Sequence, residues 1–473
     1  MNRPFLLVMA VAVLLCHAGP VWAGSDPAPQ IEALQAENAQ LRDRVDALEK
    51  ALMEINEKLS ARPEPVAPAP VEPAKPAEPA KPAEPAKPAA PAKPSLQTKY
   101  NVDLYGYLKQ DMSWDRSRTD TGNFARWALS GSAAPLNDRH FNQTINASRF
   151  GFNFKGPEAG KAKVSGQVEF DLFGGAVENS PMIRTRHCFF QVDWPEDVSL
   201  LMGQTWDLIG PQNPNQLNYT VAWQAGNLGF RHPQLRLSKA FSGKNSKLLV
   251  QVAASRKVGD AVAGLSNNPD TGADSGSPAF QGRIGYTFPT TSGFKGTVGF
   301  WGHTGNDEYD YNVTGSKDAP RSYSRGVDVN IAFSKTFAFK GELWEGKNLD
   351  EYMGGIAQGV AVTSASGTVL NGAAFGGRFI NAAGIRSKGG WFELNMGPFQ
   401  KWRYNLGMSV DNPDNDQLQN GWRTLNRTRW LNALYDLNEA IQMGLEYMRL
   451  ETDYKNRLEG DDTRLQSSFI YKF

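Results

Sequence analysis

The side chains in this 473-residue chain that could do chemistry are chiefly guanidiniums and carboxylates set at strand spacing. Arg149, Arg236 and Arg283 fall on the polar parity of alternating segments, with Lys109 and Lys163 nearby and Glu169 and Asp171 as candidate counter-charges. Fixed cations facing carboxylates across water create a transverse field, and such a field sorts ions by sign. Arg184 and Arg186 are ambiguous. Strict alternation from Cys188, Phe190 and Val192 puts them on the apolar face, where an arginine in hydrocarbon is costly, so a bulge, a subunit contact or a headgroup-level position is expected. Covalent catalysis by a serine needs a histidine beside it and a third orienting group. His140, His187, His232 and His303 show no such local arrangement, and no enzyme activity is expected. Five histidines and two cysteines leave little for metal or thiol chemistry. The Ser266–Gly276 stretch holds Asp270 and Asp274, but no metal site and no cofactor are expected.

The elements that must hold these groups are strands. In Thr463–Phe473, Leu465, Phe469, Tyr471 and Phe473 share one parity, and Arg464, Gln466, Ser468 and Lys472 the other. A period of two is the pleat of a strand with one apolar and one wet face. Val102–Asp115, Lys161–Phe173, Ala279–Phe288 and Trp402–Asp411 repeat the pattern. Ending on an aromatic strand suits a barrel whose last strand closes on its first with lipid outside, and Phe469, Tyr471 and Phe473 are read as an assembly signal. Hydrophobic residues make up 40% of the chain, and no apolar run beyond the N-terminus approaches the ~20 residues a spanning helix needs. A helical membrane protein is excluded and a β-barrel is not. A net charge of +1 argues against nucleic acid as a partner.

Connections alternate in length. Short ones sit at Gly156–Gly160, Pro195–Asp197, Ser242–Asn245, Pro289–Gly293, Ser334–Thr336, Gly397–Gln400 and Leu437–Ala440. Long polar ones begin with Arg116–Gln143 and include Asp207–Asn227 and Asn348–Gly384. Short turns at one end and long loops at the other imply about sixteen antiparallel strands, with Phe375–Arg386 assigned to the long sixth loop. Sixteen strands leave an aqueous interior. The third long loop carries Asp207, Asn213 and Asn215 and is the candidate constriction.

Residues 1–23 read as a secretory signal peptide, with Arg3, an apolar run from Phe5 and Val21-Trp22-Ala23 before cleavage. Cys16 lies inside it, so the mature chain keeps Cys188 alone. Residues 24–61 form a coiled coil. Ile31, Asn38, Val45, Leu52 and Leu59 take a positions and Leu34, Leu41, Leu48 and Ile55 take d positions over about four heptads. Asn38, the lone polar a residue, fixes register. Residues 62–99 repeat Glu-Pro-Ala-Lys-Pro-Ala, where proline forbids helix and sheet and leaves a polyproline spacer reaching on the order of 100 Å. Residues 100–473 are the barrel.

Several motifs in order have a familiar look: Tyr105-Gly106-Tyr107-Leu108-Lys109, Ser148-Arg149-Phe150-Gly151-Phe152, Arg184-Thr185-Arg186-His187, Gly203-Gln204-Thr205-Trp206, Gly389-Gly390-Trp391 and Gly444-Leu445-Glu446-Tyr447. Together they resemble the DcaP-like trimeric outer-membrane porins, over Tyr100–Phe473 and, in architecture, from Ile31. The resemblance implies an all-β, sixteen-stranded transmembrane barrel with an N-terminal periplasmic coiled coil. It implies a homotrimer in outer-membrane lipid and passive uptake of small anionic solutes, notably dicarboxylates, with site roles carried to Arg149, Arg184 and Arg186. Two other readings stay open: a phosphate-selective porin, and a tether whose rod holds peptidoglycan while the pore is secondary.

Overall fold

The computed structural model describes residues 101–473, apart from 133–137, 176–179, 260–269, 291–292, 311–316, 365–368 and 372–378. The signal peptide, coiled coil and linker lie outside the described residues.

Strands follow the alternating segments: β1 (Asn101–Asp115), β2 (His140–Thr144), β3 (Arg149–Lys155), β4 (Lys163–Asp171), β5 (Arg184–Trp194), β6 (Val198–Trp206), β7 (Arg231–Ser242), β8 (Lys247–Ser255), β9 (Ala279–Pro289) and β10 (Lys295–Asn306). They continue as β11 (Arg321–Ala332), β12 (Phe337–Lys347), β13 (Arg386–Phe399), β14 (Trp402–Pro413), β15 (Arg423–Asp436), β16 (Ile441–Tyr454) and β17 (Gly460–Lys472). Each pairs antiparallel with its chain neighbour, and β1 pairs with β17 from Tyr107↔Lys472 to Asp115↔Arg464, so the sheet closes. Both β2 and β3 pair with β1, one above the other, and together make one stave. The barrel therefore has sixteen staves from seventeen strands. Closure leaves no unpaired edge.

The apolar parity faces outward. Leu104, Leu108, Phe280, Ile284, Leu406, Leu431, Leu465 and Phe469 are all exposed, while the opposite parity is buried and polar. Loops match the expected alternation with one correction. The first long loop stops before His140, because β2 already pairs with the upper half of β1; the chain then breaks at 145–148 and resumes as β3. Of the Phe375–Arg386 stretch, Phe379–Gly384 joins a small three-stranded sheet with Val360–Ser364 and Val369–Asn371, outside the barrel wall, while Arg386 already opens β13 and 375–378 lie outside the described residues. Pro233 sits within β7 opposite Gln204.

The interior departs from an open aqueous tube. Trp301, Trp344, Trp391 and Trp430 point inward and are buried. Ala125 and Ala128 of the first loop cover Trp391 and Trp430. Ile209, Leu228, Leu349 and Tyr352 of the third and sixth loops cover Trp301 and Trp344. Inward tryptophans need apolar partners, and three loops supply them. Gly226 shows how close this packing is. It adopts φ +126°, and a Cβ there would lie 2.3 Å from the Gly390 carbonyl oxygen.

Candidate functional site

The third long loop, 207–230, folds into the barrel, and the wall fastens it through its main chain. Glu342 accepts from Gln212 N–H at 2.8 Å, and Glu393 accepts from Asn215 N–H at 2.9 Å. Glu446 accepts from Leu217 N–H and Asn218 N–H at 2.7 and 3.0 Å. Lysines hold the opposite polarity: Lys109 donates to the Leu217 carbonyl at 2.8 Å and Lys340 to the Asn213 carbonyl at 2.7 Å. All these side chains are on the inward parity of β1, β12, β13 and β16. A carboxylate accepting from amides and an ammonium donating to carbonyls are charge-assisted bonds, stronger than their neutral counterparts.

One opening lies between this loop and the β1–β6 wall. A cavity of about 520 Å³ is lined by Tyr107, Lys109, Arg149, Gln167, Glu169, Arg186, His187 and Trp206 on the wall side. Asn213, Gln216, Leu217, Tyr219 and Trp223 line it from the loop. The wall arginines are built in by a bulge. Glu169 faces His187 and Phe170 faces Thr185, which leaves Arg186 as the extra residue of β5. One added residue reverses parity beyond it. Arg184 and Arg186 turn inward as a result, beside His187, and the cost of an arginine in hydrocarbon is avoided.

Arg186 donates to Glu169 at 2.6 Å and to Asp171 at 3.1 Å. Arg184 makes a two-pronged contact with Asp171, at 3.0 and 2.7 Å. Tyr219 of the loop donates to Asp171 at 2.8 Å and accepts from Arg184 and Arg186. Arg149 lies 3.5 Å from Glu169 and over the Tyr107 ring. Glu169 and Asp171 are thus interleaved with the arginines on one wall, not ranged across from them. Arg236 and Arg283 stand apart, in a smaller cavity of about 170 Å³ with Asp207, Pro211 and Asn213. There Arg283 is paired with Asp328 at 2.7 Å. Lys163 is exposed at the short-turn end, opposite Asp193. Asp207 sits at the loop's base, bound to His232 at 2.9 Å and Gln281 at 2.8 Å, and Asn215 is an anchor point.

Sequence reasoning missed Arg231. Both its terminal nitrogens are buried with no hydrogen-bond partner among the described residues, and it is packed against Trp206, Phe230 and Trp223 at 4.6, 4.4 and 5.7 Å. The Arg-His pair opening β7 after an aromatic was the available signal. Also missed were Glu342, Glu393 and Glu446, each a lone acid on an inward parity.

One histidine does meet serines, contrary to expectation. His303 Nδ1 is 2.6 Å from Ser324 Oγ and Nε2 is 2.9 Å from Ser322 Oγ. Ser322 donates onward to the Asn348 carbonyl at 2.7 Å, so the ring's Nε2–H donates to Ser322 and its Nδ1 accepts from Ser324. Both hydroxyls are buried, and the chain of bonds ties β10 and β11 to the sixth loop.

No family model and no curated protein matches this sequence. Among solved structures, the chain is similar to the outer membrane channel DcaP of Acinetobacter baumannii, at 18% identity and TM-score 0.60, over 80% of this chain and 99% of that one. The barrel is DcaP-like. Salmonella typhi OmpF, solved with daunomycin, is similar at 14% identity and TM-score 0.51, over 79% of this chain and 98% of OmpF. The likeness to DcaP and OmpF is one of fold.

Proposed function

We propose that this chain is a porin of a bacterial outer membrane, passing small hydrophilic solutes by diffusion and preferring anions such as dicarboxylates. The apolar outer surface of the closed barrel supports a lipid setting, since a soluble protein rarely exposes so continuous an apolar area. The preference rests on one observation. Around the main cavity Arg149, Arg184, Arg186 and Arg231 outnumber Glu169 and Asp171, and among the described residues Arg231 has no carboxylate within ion-pair distance. Positive charge at a narrowing favours anion entry.

The chain would act as a homotrimer, with Ile31–Leu59 as a periplasmic coiled coil and 62–99 as a spacer able to reach the cell wall. Reversal potentials across a planar bilayer under a salt gradient test the selectivity. Anion preference is expected, and a clear cation preference rejects the reading. Comparing block of chloride current by phosphate and by succinate separates a phosphate-selective channel from a dicarboxylate one.

A further inference from the structure

Aromatic rings run in a continuous file from the first loop to the main cavity. Phe124 of that loop meets Phe173, just past β4, at 5.3 Å between ring centres. Phe173 meets Tyr219 of the third loop at 3.9 Å. Tyr219 meets Trp223 at 6.1 Å, and Trp223 meets Trp206 at 6.0 Å. The last three line the cavity, as does Tyr107 of β1. A guanidinium accompanies the file: Arg126 lies over Phe124 at 5.6 Å, Arg184 over Phe173 at 5.5 Å, Arg186 over Trp206 at 5.7 Å and Arg149 over Tyr107 at 5.2 Å. Phe124, Phe173, Tyr219 and Trp206 each keep part of their surface open. Sorting ions by sign requires the arginines and not the rings beside them.

The cavity also holds amides with bonding capacity left over. Gln216 lines it from the loop, and among the described residues neither its amide oxygen nor its amide nitrogen has a hydrogen-bond partner. Asn213 accepts from Asn227 at 2.9 Å through its oxygen, which leaves its NH2. Gln167 donates its NH2 to Tyr105 and Asn153 at 2.8 and 3.3 Å, which leaves its oxygen. Arg149, 3.5 Å from Glu169, makes no hydrogen bond among the described residues. A buried polar group without a partner costs free energy, and a hydroxylated guest relieves that cost.

We propose that the cavity takes a uronate, a six-membered sugar ring bearing one carboxylate. The carboxylate lies on Arg149, a guanidinium geometry that suits it. The ring's C–H face lies on Trp206, since the negative face of an aromatic ring attracts polarised C–H groups. The hydroxyls bond to Gln216, Asn213 and Gln167. A volume of about 520 Å³ lies within the range of small-molecule sites. Other solutes use only part of this arrangement. A short dicarboxylate has no face for the rings, an aromatic acid has no hydroxyls for the amides, and a neutral sugar has no charge for Arg149. The inference rests on the pore preferring anions, as proposed above, and names the anion that its narrowing favours.

The test reconstitutes the full chain in a planar bilayer and measures interruption of the chloride current by D-glucuronate, glucose, benzoate and succinate. Glucuronate is expected to bind about tenfold or more tightly than glucose or benzoate. Trp206→Leu and Gln216→Leu should each weaken glucuronate about fivefold more than they weaken succinate. Gln216→Leu breaks no hydrogen bond among the described residues, so the test stands even if Trp206→Leu fails to fold, which heat-modifiable gel mobility reveals. Equal binding of glucose or benzoate, or a folded variant that weakens glucuronate no more than succinate, overturns the inference. Reversal potentials are read on the same channels. A cation preference would sink the porin's anion reading itself, whereas an anion preference without selective glucuronate binding sinks this inference alone.

Discussion

Two buried arginines near one cavity behave differently on removal. Arg186 neutralises Glu169 and Asp171, so Arg186→Ala leaves carboxylates short of partners, and a loss of about 3–5 kcal/mol is expected. Arg231→Ala strands no acid. It should leave the barrel's thermal midpoint nearly unchanged while moving the reversal potential toward zero. Midpoints by gel mobility against temperature, with bilayer recordings, check both; a drop in stability for Arg231→Ala as large as that for Arg186→Ala would refute the distinction. At the outer mouth, Lys257 is buried 2.5 Å from Asp307 and 3.3 Å from Glu351. Burial holds the Glu351 carboxyl well above its usual range, with Lys257 opposing and Asp307 and Asp350 adding to it. The folded state therefore binds this proton more tightly than the unfolded one. Its contribution is full below the usual carboxylate value and is lost as pH rises through the raised one. Hydrogen exchange of the 348–358 segment should quicken, beyond the intrinsic rate, as pH climbs above about 4.5 in the wild type and much less in Glu351→Gln. Identical pH profiles would count against it.

Among the elements, the folded-in loop is fastened at several points, of which Glu446 takes the most bonds from the loop's main chain. Glu446 receives two loop amides and the Asn432 side chain at 2.9 Å. Glu446→Ala removes all three acceptances and should release the 215–218 stretch, raising single-channel conductance. Glu446→Gln keeps one acceptor oxygen and turns an NH2 toward a donor, so its conductance should fall between the alanine variant and the wild type. An unchanged conductance in the alanine variant would mean that the loop is held elsewhere. The strands themselves were legible because alternation is dictated residue by residue. In β1, Leu104 and Leu108 against Tyr105 and Lys109 already tell inside from out. The bulge was only half legible: Arg184 and Arg186 could be seen to violate the pleat, but which remedy the chain uses depends on Glu169 and Asp171 across the strand boundary. The direction of the third loop was not legible, because its anchors are spread over β12, β13 and β16, more than a hundred residues away in sequence. The buried tryptophans were missed for a similar reason. A wet parity was expected to be wet throughout, and the apolar cover comes from loops that carry no period.

For the whole molecule, every stave finds both neighbours within 101–473, and the last strand meets the first through Phe473 and Gly106, whose main chains exchange bonds of 3.2 and 3.1 Å. A chain starting at Asn101 should therefore refold in detergent into the same heat-modifiable barrel and conduct with the same selectivity. Failure to recover that form would show that the N-terminal hundred residues take part in closing the barrel.

The attachment of the third loop has an evolutionary corollary. Because Glu342, Glu393 and Glu446 grip amide hydrogens, which every amino acid but proline supplies, the tenons fit whatever side chains the segment carries. The amide bonds at 212, 215, 217 and 218 survive an exchange of the side chains there, and proline alone removes them. Descendants of this gene could retune what passes by redecorating one stretch, while the joinery stays as it was.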